Sequence, residues 1–219
     1  YHAEVLDAAG NLYTEHLRTA QQKVHFVCCG KPYEYKPHFT FQGFRFVRIN
    51  SWPEKIDLDN FTGVVVCSDI KRTGYFECSN EKVNRLYENV IWGQMSNFVD
   101  VPTDCPQRDE RLGWTGDAQV FCKTAALNFD VEKFFAKWLA DLKAEQGVDG
   151  SLPHVIPDVL AMGKDRYSSS CGWGDAAVIC PWNIYLAYGS KQLLKRQFAS
   201  MRKWVEYIRH QGENEYLWN

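Results

Sequence analysis

The sequence predicts a mixed, mainly α fold, in which the C-terminal end of an antiparallel β-sandwich precedes the first helices of an unclosed helical ring. Two observations predict it. Short runs of β-branched and aromatic residues, separated by turn residues, occupy residues 1–70 of the 219-residue chain. From Ser79 onward, apolar residues recur at the spacing of a helix. We therefore expect two domains, residues 1–70 and residues 71–219.

The first domain contains four candidate strands: Val24–Cys29, Phe39–Phe41, Phe44–Ile49 and Val64–Cys67. In the third, apolar Phe44 and Phe46 flank Arg45, an alternation typical of a strand with one face in water. Glycine, proline and asparagine separate the runs. Four strands are too few for a whole sandwich, so these residues are expected to form the end of one.

Five helices are expected in the second domain. The first follows the capping pair Ser79–Asn80, the second spans about Asp117 to Leu127, the third ends near Gly147, the fourth runs from Ala176 to about Tyr188, and the fifth ends before Gly212. The third carries Phe134, Phe135, Trp138, Leu139 and Leu142, and the fifth carries Leu194, Phe198, Met201, Val205 and Ile208. The fourth is apolar on nearly every side, so we expect it to be buried. Pro181 is expected either to bend this helix or to lie near its first turn.

Two long loops, Asn97–Gly116 and Gly147–Gly174, connect these helices and are rich in charge, glycine and proline. Long ordered loops in a helical domain are usually functional. Paired helices with elaborate loops at one end predict an α-hairpin ring with a pocket at that end. Five helices do not close such a ring.

Composition excludes several classes of partner. The net charge of −2 and the pI near 6.3 provide no basic surface for nucleic acid. No apolar run reaches the length of a membrane span, so no membrane partner is expected. The eight cysteines are scattered among apolar neighbours, which predicts free thiols and a cytoplasmic location. The chain starts without Met or a secretion signal, and we expect it to be an excerpt from a longer protein.

The sequence lacks the motifs of several common classes of nucleotide-binding protein and enzyme. It contains no GxxxxGK[ST], no GxGxxG after a strand, no HExxH and no GxSxG. Cysteine and histidine do not cluster at the spacing of zinc ligands. We expect neither a metal nor an organic cofactor.

The stretch from Val101 to Phe121 is the densest in chemistry. Its acidic and basic residues include four carboxylates and a guanidinium, and an indole lies beside them: Asp104, Arg108, Asp109, Glu110, Trp114 and Asp117. A glycosidase needs one carboxyl to protonate the leaving oxygen and a second to activate water or attack the sugar. Crowded carboxylates keep one of their number protonated near neutral pH. A structural salt-bridge cluster is the alternative.

The second loop ends in Cys171–Asp175, directly before the fourth helix. Glycines on both sides of Trp173 would let its indole stand clear of the backbone at a pocket rim. Asp175 either reaches the pocket or caps the helix. Asp158 and Asp165 are interpreted as solvated loop charges.

These residues resemble a known family. The stretch DVPTDCPQRDERLGWTGDAQVF is similar to the signature of bacterial α-L-rhamnosidases of glycoside hydrolase family 78. The stretches FTFQGFRFVRI, GYFECSNEKVNRLYENVIWGQMSNF, FFAKWLADL and GWGDAAVICPWNIYLAYG also resemble the family. The similarity covers nearly the whole chain.

The resemblance implies an (α/α)6 barrel after a jelly-roll-like β-domain, and inverting hydrolysis of terminal α-L-rhamnose from a glycoside or polysaccharide. It implies that Glu110 is the general acid. It places Asp104, Arg108 and Trp114 against rhamnose, and it places Asp117, Trp173 and Asp175 along the same pocket.

The family's general base is a Glu far downstream, so we expect this chain to hold only the acid half of the machinery and to be inactive alone. Half a helical ring leaves apolar faces uncovered, and we expect these to promote self-association. Two other functions stay open. One is a non-catalytic carbohydrate-binding or scaffold protein, and the other is an inverting hydrolase of a different sugar on the same toroid.

Overall fold

The computed structural model of the protein describes residues 1–162, 169–215 and 217–218. It divides into two compact units. Unit 1 comprises Tyr1–Val66 together with Cys105–Arg111, and unit 2 comprises Cys67–Asp104 together with Leu112–Asn219. A short segment of the second predicted domain therefore belongs to the first unit. Asp165, predicted above to be solvated, lies outside the described residues.

Unit 1 contains two short antiparallel pairs of strands. Strand β1 (His2–Ala3) pairs with β4 (Phe46–Val47), and β2 (Val5–Leu6) pairs with β3 (Leu12–Tyr13). Short 3-10 helices cover Glu15–Leu17 and Leu58–Asn60. Ala3 and Leu17 are fully buried.

Of the four predicted strands, only Phe44–Ile49 contains one, which is β4. The other three, Val24–Cys29, Phe39–Phe41 and Val64–Cys67, were wrong in the described part of the chain. The reason is that β-propensity measures how well a side chain fits a half-buried pleated surface. Val64 and Phe39 are exposed, and no neighbouring strand pairs with these runs in the described residues.

The described part of unit 2 contains a two-stranded hairpin, five α-helices and a 3-10 turn. The bounds are α1 Glu81–Asn97, β5 Phe98–Val99, β6 Val101–Pro102, α2 Thr115–Asn128, α3 Glu132–Glu145, the 3-10 turn Val159–Met162, α4 Ala176–Tyr188 and α5 Lys191–Arg209. The predicted mixed, mainly α fold is confirmed. Asn80 caps α1, because its side chain accepts from the backbone N–H groups of Lys82 and Val83.

The core of unit 2 forms where α2 and α3 pack against α4, and α4 packs against α5. Trp138 of α3 is fully buried, and its indole N–H donates to the carbonyl of Ile156 at 3.2 Å. Phe98 stacks on Phe134 at a ring separation of 4.4 Å. These contacts fix the ends of the long loops to the helical core. None of the helices in the described residues combines the length and apolar character needed to cross a bilayer.

The two C-terminal helices bury different faces from those expected. On α5 the buried residues are Leu193, Gln197, Ser200 and Trp204, whereas Phe198 of the predicted stripe is 63% exposed. Both stripes have helical spacing, and the large indole of Trp204 occupies the core. Helix α4 was predicted to be buried all round, yet its Trp182 and Leu186 are exposed. Pro181 lies inside α4.

Gly174 shows how closely α5 approaches the second loop. A β-carbon at this position would lie 2.3, 2.5 and 2.7 Å from three carbons of the buried Trp204 ring. We expect Gly174→Ala to lower the free energy of unfolding by about 1–3 kcal/mol, the usual cost of overpacking a core. Thermal unfolding of the full-length protein measures the effect.

Gly93→Ala is the matched control for this substitution. Gly93 lies inside α1, and a β-carbon there would meet no atom within 4 Å. This change is expected to stabilise the protein by about 0.5–1 kcal/mol, because alanine has the higher helix propensity. Equal melting temperatures for the two variants would contradict the packing of Trp204 on Gly174.

Candidate active site

Unit 2 contains a cavity of about 690 Å³ at the start of α2. Its walls come from the C-terminal half of α1, the β5–β6 hairpin and its following residues, the first turns of α2, and the second loop. Three of the predicted site residues line it: Asp104, Asp117 and Trp173. Its volume is typical of pockets that bind small organic molecules.

Asp104 is tied to the residue where the chain returns to unit 2. The backbone N–H of Asp104 donates to the Leu112 carbonyl at 3.1 Å, and the Leu112 N–H donates to Asp104 Oδ1 at 3.0 Å. These two hydrogen bonds therefore hold the two ends of the intervening segment, Cys105–Arg111, close together. Asp104 both makes these bonds and lines the cavity.

Trp114 links the two long loops. Residues 113–115 run antiparallel to residues 154–156, with an N–H of Ile156 donating to the Gly113 carbonyl at 2.9 Å. Thr115 donates to the His154 carbonyl through both its N–H and its hydroxyl. A β-carbon on Gly113 would lie 2.2 Å from the Ile156 carbonyl oxygen, so this close approach requires glycine. Among the described residues that line the cavity, Trp114 is absent.

The Trp173 indole rests on the first turn of α2. A β-carbon on Gly116 would lie 3.2 Å from the indole, so the lack of a side chain at this position leaves room for the ring. Gln119 of α2 donates to the Gly172 carbonyl at 3.0 Å and so fixes the residue that precedes Trp173. Gly172 has a φ of 84°, a left-handed conformation that glycine adopts without strain. Trp173 stays 40% exposed and presents a flat apolar face in the cavity wall.

Asp175 is engaged by two protein N–H groups. Its Oδ2 accepts from the Gly172 backbone at 2.8 Å, and its Oδ1 accepts from the Trp204 indole at 3.0 Å. It makes no capping bond within α4. Its carboxylate therefore braces the turn before α4 against α5. It is not among the described residues that line the cavity.

His154 lies beside this turn. Its ring centre is 5.6 Å from that of Trp173, and its Nε2 is 2.8 Å from the Ser170 hydroxyl. Burial lowers the pKa of His154, while the charge of Asp158 acts in the opposite direction. The burial effect is the larger, and the lowered pKa indicates a neutral ring near pH 7.

Glu110 and Arg108 belong to unit 1. Arg108 Nη2 lies 2.7 Å from Glu110 Oε2, and Arg18 Nη1 lies 3.0 Å from the same oxygen. The Glu110 side chain is only 14% exposed. A hydrogen bond to Cys105 and the charge of Glu110 raise the pKa of Arg108, against the effect of burial. Glu110 is therefore a sheltered carboxyl group with two cationic partners.

The remaining residues of the segment anchor it to the rest of unit 1. Thr19 donates to Asp109 through its N–H and its hydroxyl, and this hydrogen bonding lowers the pKa of the Asp109 carboxyl. The Gln22 amide donates to the Gln107 carbonyl. Arg111 donates to the Phe41 carbonyl at 2.9 Å, and its guanidinium lies 4.2 Å from the Phe41 ring centre.

Sequence reasoning missed three of these groups. The sequence gives no indication of a role for Arg18, because this arginine belongs to no motif and only folding brings it to Glu110. Gln119 and Trp204 are ordinary helix residues in sequence. The helical spacing of Gly116 and Gln119 on one face of α2 was the only available indication for Gln119.

Comparison with known proteins gives two family matches. Residues 71–219 match the bacterial alpha-L-rhamnosidase 6 hairpin glycosidase domain, and residues 1–67 match the bacterial alpha-L-rhamnosidase concanavalin-like domain. Together these matches span nearly the whole chain.

Individual relatives agree with the family matches. An α-L-rhamnosidase of Formosa agariphila is 43% identical over 216 residues, which cover 97% of this chain and 23% of the relative. A Streptomyces avermitilis α-L-rhamnosidase, solved in complex with L-rhamnose, has a TM-score of 0.91 and 41% identity over 97% of this chain and 20% of its own. The native Aspergillus terreus enzyme has a TM-score of 0.93 and 40% identity over 100% of this chain and 25% of its own. The chain therefore spans about a fifth to a quarter of the length of these relatives.

Proposed function

Because the chain belongs to the bacterial α-L-rhamnosidase family, we propose that the full-length protein hydrolyses terminal α-L-rhamnose from rhamnose-containing glycosides. The reaction inverts the configuration of the anomeric carbon. This chain supplies the general acid, Glu110, and a sugar-binding wall that includes Asp104, Asp117 and Trp173. The relative from Streptomyces avermitilis, named for this activity and solved with L-rhamnose, supports the proposal.

The observation that carries the proposal is the environment of Glu110. Its carboxyl group is sheltered from water and contacts two guanidiniums that hold its orientation. General acid catalysis requires such a fixed proton donor, and it contributes typically 10²–10⁴-fold in rate. Within the matched family signature, Glu110 is the carboxylate that combines low exposure with two cationic partners.

The unit 2 cavity suits a small sugar. Trp173 offers an indole face for the C–H surface of the ring, and Asp104 and Asp117 offer acceptors for hydroxyl groups. These contacts bind an uncharged polyol without requiring unpaired basic residues.

An inverting glycosidase needs a second carboxylate roughly 6.5–9.5 Å from the acid to activate water. We propose that this base lies outside the present chain and that the chain alone turns over rhamnosides negligibly.

The predicted cytoplasmic location and the predicted self-association also stay proposals. The eight free cysteines, of which Cys105, Cys122 and Cys180 are buried, support a reducing compartment.

Proton NMR during the hydrolysis of p-nitrophenyl α-L-rhamnoside tests the reaction in the full-length protein. We expect the first rhamnose released to be the β-anomer, followed by slow mutarotation. Initial release of the α-anomer would contradict inversion. Failure to release rhamnose at all would contradict the proposed activity, and turnover by the isolated 219-residue chain would contradict its lack of a base.

A further inference from the structure

Arg18 lies far from Glu110 in sequence but contacts its carboxyl group, with Nη1 3.0 Å from Oε2. Both residues belong to the same compact unit. We propose that Arg18 is a positioning residue that holds the carboxyl group of the proton donor, Glu110, in place. This inference deepens the proposed function and rests on it. It extends the acid machinery into the N-terminal segment, which the sequence assigned to the β-domain.

The backbone around Arg18 is built to hold it at this place. Arg18 has a φ of 56° and a ψ of −118°, a conformation that is strained for a residue with a β-carbon. Such strain persists only where the surroundings determine the conformation, and it concentrates at functional sites. The preceding residue, Leu17, is fully buried, and the following residue, Thr19, donates to Asp109.

A second anchor follows four residues later. Gln22 is nearly buried, and its side-chain amide donates to the Gln107 carbonyl. Its own carbonyl accepts from the backbone N–H of His2, which begins strand β1. Arg18 therefore directly precedes residues 19–22, whose first and last members are both hydrogen-bonded to the Cys105–Arg111 segment that carries Glu110.

The chemistry of guanidinium determines what this contact does. Arginine donates hydrogen bonds and accepts none, and it does not lose its proton in proteins. The guanidiniums of Arg18 and Arg108 both lie against Oε2, so two permanent positive charges face this oxygen and hold the carboxyl group in place.

The acid step then follows in balanced form. The proton moves from Glu110 to the glycosidic oxygen as the bond from that oxygen to the anomeric carbon breaks, and the bonding electrons stay on the leaving oxygen. The water activated by the second carboxylate proposed above forms the new bond to the anomeric carbon and gives its proton to that carboxylate. The aglycone departs as a neutral alcohol. The negative charge left on Glu110 is met at Oε2 by two guanidiniums that were already in place, which requires no reorganisation at that moment.

Stability and rate separate this role from a purely structural one. The Arg18 side chain is 53% exposed, and ion pairs in such positions contribute little to folding. Arg18→Ala should therefore change melting temperature slightly while lowering the rate. The loss should depend on the leaving group, because a poor leaving group needs more help from the acid than an activated one.

The experiment compares Arg18→Ala, Arg18→Lys and Glu110→Gln in the full-length protein with two substrates, p-nitrophenyl and cyclohexyl α-L-rhamnoside. For Arg18→Ala we expect kcat on the cyclohexyl substrate to fall about tenfold, a fraction of the whole acid effect. On the nitrophenyl substrate kcat and KM should change by less than about twofold. Arg18→Lys, which keeps the positive charge, should recover part of the loss.

Arg45→Ala is the matched control, because Arg45 belongs to the same unit but its guanidinium lies over the Phe46 ring. It should leave both substrates unaffected. Equal losses on both substrates together with a lower melting temperature would overturn the inference, as would an unchanged rate on the cyclohexyl substrate. If Glu110→Gln itself shows no leaving-group dependence, the proposed function fails; if only Arg18→Ala lacks it, the inference alone fails.

Discussion

Glu110→Gln in the full-length protein is expected to lower kcat on alkyl rhamnosides by about 10²–10⁴-fold, the usual contribution of a general acid. Glutamine keeps the shape of the side chain and its contact with Arg18 and Arg108, but it has no proton to give. Rhamnose binding should therefore persist, with KM changing little. Steady-state kinetics with a nitrophenyl and an alkyl substrate measure both quantities.

The neighbouring Asp109→Asn is the matched control. Asp109 is exposed and bonds Thr19, and an asparagine oxygen accepts from the same hydroxyl. We expect its kcat to stay within about threefold of the parent value, as for a substitution outside the reacting groups. A non-catalytic sugar-binding protein, the alternative left open by the sequence, would bind sugar equally well in both variants and show no turnover to lose.

Trp173→Ala is expected to raise KM for rhamnosides and the dissociation constant for rhamnose by about 100-fold. Truncating a central aromatic anchor of a binding site typically costs roughly 2–4 kcal/mol. The indole lies in the cavity wall and packs on Gly116. Gln119 fixes the preceding residue by donating to the Gly172 carbonyl. Titration calorimetry with rhamnose measures the loss directly.

Trp182→Ala separates this effect from a general loss of surface aromatics. Trp182 lies on α4 with 49% of its area exposed, close to the 40% of Trp173, but it is not among the described residues that line the cavity. Its affinity for rhamnose should equal that of the parent. If the two tryptophan variants weaken binding equally, Trp173 has no special part in the site.

The helices were predictable because local signals and packing agree there. The cap at Asn80 and the apolar spacing of α1 to α5 give the elements and most of their ends. The strands of unit 1 were less predictable, because a β-run becomes a strand only when another segment pairs with it. The buried face of α5 also could not be chosen, since two stripes share helical spacing and only the core around Trp204 decides between them.

The site divides in the same way. Glu110 and Arg108 are close in sequence, so their pairing follows from local chemistry. Two other contacts join residues that are distant in sequence and could not be read from it: Arg18 with Glu110, and Asp175 with Trp204. The sequence offered a pocket or a capping role for Asp175, whereas its carboxylate bonds the Gly172 backbone and the Trp204 indole. That brace positions the turn bearing Trp173.

The most direct test of the account is a crystal structure of full-length Glu110→Gln with an uncleaved rhamnoside. We expect the side-chain amide at position 110 to lie about 2.6–3.2 Å from the glycosidic oxygen, the reach required of a proton donor. A rhamnoside bound with its glycosidic oxygen beyond the reach of residue 110, facing a different carboxyl group, would contradict the account.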